Sequence, residues 1–229
     1  MKFISLFVFA FLIAGCATNY DIGHEYLGAK YVADPLGEGY GYDADPLIRE
    51  DAFDCVTFVE TSLANGKLKN LNKIRYKDGD VNFLSRNHFI ESDWLENNAD
   101  LVENVSSKYG DVAVRHVIID KQNWLRVVHK MDSEFPVREI DLEYIPYEKL
   151  GRINTDDALI VLFITGNSNK SGTIGTDLAV VHVGFLLPNG VLRHASSQYG
   201  RVMDVDFYEY VAARAKNKNN IGVTLVEIK

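Results

Sequence analysis

Cysteine is scarce in this chain: 229 residues carry two, Cys16 and Cys55. Basic clusters are missing too. Lys and Arg number 24 against 32 Asp and Glu, a formal net charge of −8, which argues against nucleic acid and against tight binding to polyanions. No apolar run reaches bilayer length, since the longest, Phe3 to Ala14, is too short for a stable spanning helix. There is no internal repeat, no low-complexity tract, no His-Glu-x-x-His, no Gly-x-Ser-x-Gly elbow and no phosphate loop. The histidines lack zinc-ligand spacing. Metal amidases and serine hydrolases thus lose their usual marks, and no metal or cofactor is expected.

What is there begins with a leader. Lys2 precedes the apolar run, which ends Leu12-Ile13-Ala14-Gly15-Cys16 and resembles the bacterial lipoprotein cleavage box. On that reading residues 1–15 are a signal peptide, Cys16 is lipidated, residues 16–23 are a tether and residues 24–229 form one domain. Two or three acyl chains on Cys16 make a durable anchor in the cell envelope. Ala17, where an aspartate would signal inner-membrane retention, favours the outer membrane. An ordinary signal peptide, or a short buried helix with an incidental cysteine, is the alternative. With Cys16 so committed, Cys55 has no partner to oxidise with in an exported compartment.

A coarse pass predicts an α+β chain. Asp34 to Tyr42 is a Gly/Pro/Asp-rich loop. Val56, Val59 and Leu63 recur at helical spacing behind Asp54, a natural N-cap, and Asn65-Gly66 supplies the stop. A second helix is expected near Asp93 to Asn97 and another near Phe207 to Lys216. Strands are expected at Val112 to Ile119, Leu125 to His129, Ala158 to Thr165, Leu178 to Leu187, Val191 to Ser196 and Val223 to Ile228. Helices first and consecutive strands later imply a mostly antiparallel sheet packed by the cysteine helix.

Cys55 opens that helix. Helix N-terminal amides favour thiolate and can cradle an oxyanion. A buried structural cysteine is the competing reading, and the histidines weigh between them. His182 lies in an apolar strand reading, where a lone histidine is usually a core residue. Pro188-Asn189-Gly190, however, has the composition of a three-residue hairpin loop with glycine in the left-handed position. That loop pairs Leu187 with Val191, so Gly184 faces His194 and His182 faces Ser196. His182 and His194 then become diagonal neighbours on one sheet face; a two-residue loop would separate them. In such a pair His182 is placed to act as general base and acid for Cys55, with His194 orienting its ring.

Four blocks carry a family resemblance: Asp34-Pro35-Leu36-Gly37-Glu38-Gly39; Phe53-Asp54-Cys55-Val56-Thr57-Phe58-Val59-Glu60-Thr61; Ser85-Arg86-Asn87-His88-Phe89 with Asp93-Trp94; and His194-Ala195-Ser196. With His182 in its His-Val-Gly-Phe strand, they resemble the NlpC-type papain-like cell-wall cysteine hydrolases, and within these the N-acetylmuramoyl-L-alanine amidase-like family. The resemblance implies a papain-like fold. It also implies metal-free cleavage of the amide between the lactyl group of muramic acid and L-alanine in peptidoglycan. Asp156-Asp157 departs from the family, which usually carries Gly-Asp before this strand.

The resemblance also directs attention to binding residues. Arg86 is suited to grip a substrate carboxylate and His88 to donate to a sugar or carbonyl oxygen, with Ser85 beside them; capping of the next helix is the alternative. Trp94 stacks on a sugar or packs in the core. Glu60 binds a substrate amine or pairs internally. Asp54 and Ser196 complete the candidate set, and Tyr40 and Tyr42 are placed to wall the cleft. His116 alternates with Val112, Val114 and Ile118 and reads as a sheet residue. The expected partner is a muropeptide or peptidoglycan, with the chain a monomer. A stem-peptide endopeptidase cutting after D-Glu and a non-catalytic wall-binding lipoprotein are the other readings.

Overall fold

The computed structural model describes residues 21–166 and 171–229. The leader, Cys16 and its lipidation lie outside the described residues. In chain order the elements are β1 (Lys30–Tyr31), β2 (Ala52–Phe53), α1 (Cys55–Leu63), α2 (Leu68–Arg75), a π-helical turn (Ile90–Trp94) running into α3 (Leu95–Asn97), β3 (Val102–Asn104), α4 (Ser106–Tyr109) and β4 (Ala113–Ile119). Then come α5 (Lys121–Trp124), β5 (Arg138–Pro146), β6 (Leu159–Thr165), α6 (Ser171–Ile174), β7 (Val180–Leu186), β8 (Val191–Ser196), β9 (Arg201–Asp206), α7 (Phe207–Arg214) and β10 (Asn220–Ile228).

The strands form one sheet in the order β2-β1-β9-β8-β7-β6-β10-β5-β4, with β3 on β10. Among the described residues only the β1–β2 pairing is parallel. The chain is thus a mixed α+β fold around a large, mostly antiparallel sheet, as its order of helices and strands predicts. One apolar layer joins Phe58 and Val59 of α1 to Ile160, Leu162, Val183, Phe185 and Ala195. The other joins Phe207 and Val211 of α7 to Leu159, Val161, Phe163 and Leu192. Alternation along β6 and β7 feeds both layers, so β6 is buried at every position.

α1 starts as its sequence predicts. The Asp54 carboxylate accepts the Thr57 N–H at 2.8 Å and the Thr57 hydroxyl accepts the Asp54 N–H at 3.0 Å, a reciprocal cap. After Leu63 the chain leaves the helix through Asn65 and Gly66, both left-handed (φ 50° and 63°).

One predicted strand is not a strand. Leu125–His129 is a π-helical turn continuing α5, which Asp120 caps by accepting the Asn123 N–H at 2.8 Å. Its β-branched residues mislead, because Leu125 is fully buried while Val128 stays exposed, and among the described residues no strand pairs with it. β5 and β9 escape the sequence reading because charged residues alternate through them, and so does the short, polar α2.

Candidate active site

The β7–β8 hairpin has the predicted register. Phe185 pairs with Arg193 and Leu186 with Leu192, the Leu187 N–H donates to Val191 at 2.8 Å, and the Gly190 N–H donates to Leu187 at 2.9 Å. Gly190 is left-handed at φ 80°. A Cβ on Gly184 would stand 2.9 Å from that of His194, so glycine is required where the two strands face each other. The hairpin therefore brings the histidines together: His182 Nε2 lies 2.8 Å from His194 Nδ1.

Unbroken alternation from Leu186 to His182 sets the face they share, and a β-bulge just beyond it re-aims Val180. Phe163 pairs with His182 but Ile164 pairs with Val180, leaving Val181 over. Val180 thus points into the α1 layer, while His182 lies on the Phe163 side. Strict alternation would have put these two residues on one face. Glu91 holds the start of this strand, its carboxylate accepting the N–H groups of Ala179 at 2.6 Å and Val180 at 3.4 Å. Around the pair, Tyr210 of α7 meets the His194 ring at 5.0 Å and the His182 ring at 6.1 Å, and Phe163 meets His182 at 5.5 Å.

Cys55 is the first residue of α1, which packs on β7 through Phe58 and Phe185, their ring centres 5.7 Å apart. Among the described residues no hydrogen bond joins Cys55 to His182 directly; such contacts commonly tighten only with substrate bound. Burial pushes the Cys55 thiol up to about 12, with the Asp54 carboxylate adding to it, against the backbone amides of Val183, Cys55 and Val56. The thiolate-favouring effect expected of a helix N-terminus is real here but outweighed by desolvation. Burial likewise holds His182 well below the ordinary imidazole range, helped by His194 and Arg214, and brings His194 down to about 4. At neutral pH the resting site is an uncharged thiol with two uncharged imidazoles.

The binding candidates fare differently. Arg86 is 5% exposed. Its Nε and Nη2 donate to Glu38 at 2.8 and 2.6 Å, Nη2 also to Asp43 at 2.6 Å, and Nη1 is 3.5 Å from Asp34. A guanidinium so occupied cannot grip a substrate carboxylate, which corrects that expectation. Glu60 is buried against Arg75 at 2.8 Å, so its internal pairing replaces amine binding. His88, held neutral by burial, points its Nε2 at the Phe83 carbonyl at 2.7 Å. Its single N–H is thereby used, and donation to a sugar is corrected with it. Ser85 likewise turns its hydroxyl to the carbonyls of Asp80 and Asn82. Trp94 is 3% exposed and packs in the core, so it does not stack on a sugar. Asp54 is spent on the cap, although its second oxygen also accepts the Asp34 N–H at 3.3 Å. Ser196, at the end of β8, is buried and accepts the Tyr199 N–H at 3.3 Å. His116 is a sheet residue, 2.8 Å from Asp141.

Cavities lie both near these residues and away from them. One of about 630 Å³ is lined by Asp34, Tyr42, Asp43, Asp45, Phe83 and His129. It lies beside the cysteine helix through the Asp34–Asp54 contact. Tyr42 walls it as expected, and its hydroxyl is 3.1 Å from His129 Nδ1. Tyr40 reaches instead to the Val81 carbonyl. Another cavity of about 670 Å³, between β5 and α7, contains neither Cys55 nor the histidine pair; volume alone does not locate the chemistry. Glu91, His129, Tyr210 and Arg214 were missed by sequence reasoning. The one available signal was the four-residue spacing of Tyr210 and Arg214 on α7, which puts them on one helix face. Among the described residues no group of three His, Cys, Asp or Glu side chains is placed to hold a metal.

Comparison with known proteins adds a family model described as AmiA-like, N-acetylmuramoyl-L-alanine amidase-like, which matches residues 21–220. No curated protein matches the chain. Among solved structures, a Legionella pneumophila protein is similar at 23% identity and a TM-score of 0.83, covering 91% of this chain and 87% of its own. An N-acetylmuramoyl-L-alanine amidase from Bacteroides uniformis is similar at 24% identity and a TM-score of 0.70, covering 93% and 97%. At these identities the likeness establishes the fold.

Proposed function

The chain belongs to the N-acetylmuramoyl-L-alanine amidase-like family, and from that premise we propose that it is a cysteine hydrolase with an NlpC-type papain-like fold. Its substrate is the amide between the lactyl group of N-acetylmuramic acid and L-alanine in peptidoglycan fragments. The observation that carries this reading is the packing of α1, which opens on Cys55, against β7, which carries His182 with His194 2.8 Å behind it.

In this mechanism His182 accepts the Cys55 proton as sulfur attacks the lactyl carbonyl. Backbone N–H groups at the start of α1 receive the oxyanion. The C–N bond then breaks, His182 returns the proton to the leaving L-alanine amine, and a thioester remains. Water, deprotonated by His182, hydrolyses it to the lactyl carboxylate and free thiol. Because thiol and imidazole both rest uncharged, proton transfer accompanies attack instead of preceding it. Residues 1–15 serve as signal peptide, and Cys16 anchors the enzyme to the envelope, at the outer membrane. Defined muropeptides digested and weighed by mass spectrometry test the reading. Peptide beginning with free L-Ala and peptide-free sugar are expected, and neither with Cys55→Ala. Cleavage between D-Glu and the diamino acid, or undiminished cleavage by Cys55→Ala, overturns it.

A further inference from the structure

The fully buried arginines of this chain are matched by carboxylates: Arg75 by Glu60, Arg86 by Glu38 and Asp43, Arg193 by Asp204 and Asp21. Arg214, half-buried at the end of α7, is not. Among the described residues it makes no ion pair. Its polar contacts include the Tyr210 hydroxyl at 3.5 Å and the Asn220 side chain at 3.2 Å, the uncharged Tyr147 hydroxyl lies beside it, and its Nε is buried without a hydrogen-bond partner. The guanidinium lies instead over aromatic rings, 5.0 Å from the centre of Phe163 and 5.8 Å from that of Tyr210. These are the two rings that pack against His182 and His194. An aromatic face accommodates a cation without cancelling its charge, so the field of Arg214 reaches the histidines largely unspent.

Of the other titratable groups around the pair, Asp204 opposes Arg214 at His194, and by less than Arg214 acts. Cys55 of α1 and Tyr210 of α7 are uncharged at neutral pH. Asp204 of β9 is held by Arg193 Nε and Nη2 at 2.8 and 2.9 Å. Phe163 of β6 carries no charge.

We propose that Arg214 is a positioning residue for the reaction proposed above: an uncompensated cation behind two aromatic rings that keeps the histidine pair uncharged at rest and makes the transient His182 imidazolium a ready proton donor. Expelling an amine from a tetrahedral intermediate needs a strong acid, and a cation placed behind the imidazolium strengthens it. The depressed affinity of both rings for protons, with Arg214 among its causes, agrees with this placement.

The test follows histidine ring resonances by NMR in the Cys55→Ala protein between pH 5 and 8, so it reads out whether or not the amide is cleaved. With Arg214 present both rings should stay neutral across the range. With Arg214→Gln at least one should take up a proton, its midpoint raised by about one pH unit or more, the size expected for removing a unit charge nearby in a protein interior. Arg214→Met, which keeps the apolar stem on the rings, should do the same and serves if the glutamine variant does not fold. Arg214→Lys should restore the parent behaviour. In the active enzyme the acid limb of the rate should move up with Gln or Met and stay with Lys. Identical titrations in the parent, Gln and Met forms, or a Lys form that behaves like Gln, overturn the proposal. No cleavage of the lactyl–L-alanine amide by the parent enzyme, with the titrations behaving as expected, leaves Arg214's hold on the histidine pair standing and strikes the amidase reading.

Discussion

Arg86 and Arg214 are the cations of two polar clusters, and the sequence surrounds them differently. Arg86 has Glu38, Asp43 and Asp34 within 3.5 Å and helps tie the 34–46 loop to the body of the domain. Arg75 joins the same clamp by donating to Glu60 and to the Leu36 carbonyl at 2.7 Å. Arg214 meets rings and amides instead. The difference teaches that a neutralised buried charge holds structure, whereas an uncompensated one is left to act on its neighbours. Changes in the first cluster should therefore register as stability, and changes around the second as rate and pH dependence.

The sharpest separation comes from Cys55→Ala. Turnover of muropeptides should fall by at least about 10⁴-fold, as removal of a nucleophile does elsewhere, with thermal melting little changed. A variant that melts much earlier would mean that the thiol is structural and would erase the contrast. Arg86→Ala should do the reverse. Leaving Glu38 and Asp43 buried without a counter-charge costs about 3–5 kcal/mol, read as a lower urea midpoint with unchanged slope. Turnover per folded molecule should survive, and its selective loss would return Arg86 to the substrate.

The acid behaviour sharpens the same contrast by a smaller amount. His194 is depressed from 6.5 to about 4 in the folded chain, so between those values the unfolded state binds the proton and the folded state does not. The stability it contributes is full above pH 6.5 and drains away as pH falls toward about 4. Urea melts at pH 7.5 and 5 should show this slope, and His194→Gln should flatten it; equal slopes would deny the neutral pair. Least affected should be Trp94→Phe. Trp94 is buried with an unpartnered indole nitrogen, so a smaller ring costs less than about 1.5 kcal/mol. The KM should not move, and a raised KM would restore a sugar-stacking role.

Legibility followed distance along the chain. The Asp54 cap spans three residues and the Pro188-Asn189-Gly190 turn spans three more; both were readable because local chemistry decides them. The turn in turn delivered the His182–His194 contact, since a hairpin propagates its register. The partners of Arg86 stand 43 and 48 residues away, and no local signal distinguishes a carboxylate in this chain from one on a substrate. The strand expected at Leu125–His129 failed for a related reason: β-branched residues make a strand only where a neighbour pairs with them.

By itself the sequence determined the helix that opens on Cys55, the hairpin that joins two histidines and the family to which these blocks belong, because each is written in neighbouring residues. Tertiary structure alone decided the bulge at Val181 that turns Val180 into the α1 layer, the burial that leaves Cys55 and both imidazoles uncharged, and the choice of carboxylates for Arg86 but rings for Arg214. Those outcomes depend on desolvation and on contacts between distant segments, which exist only once the sheet has brought the segments together.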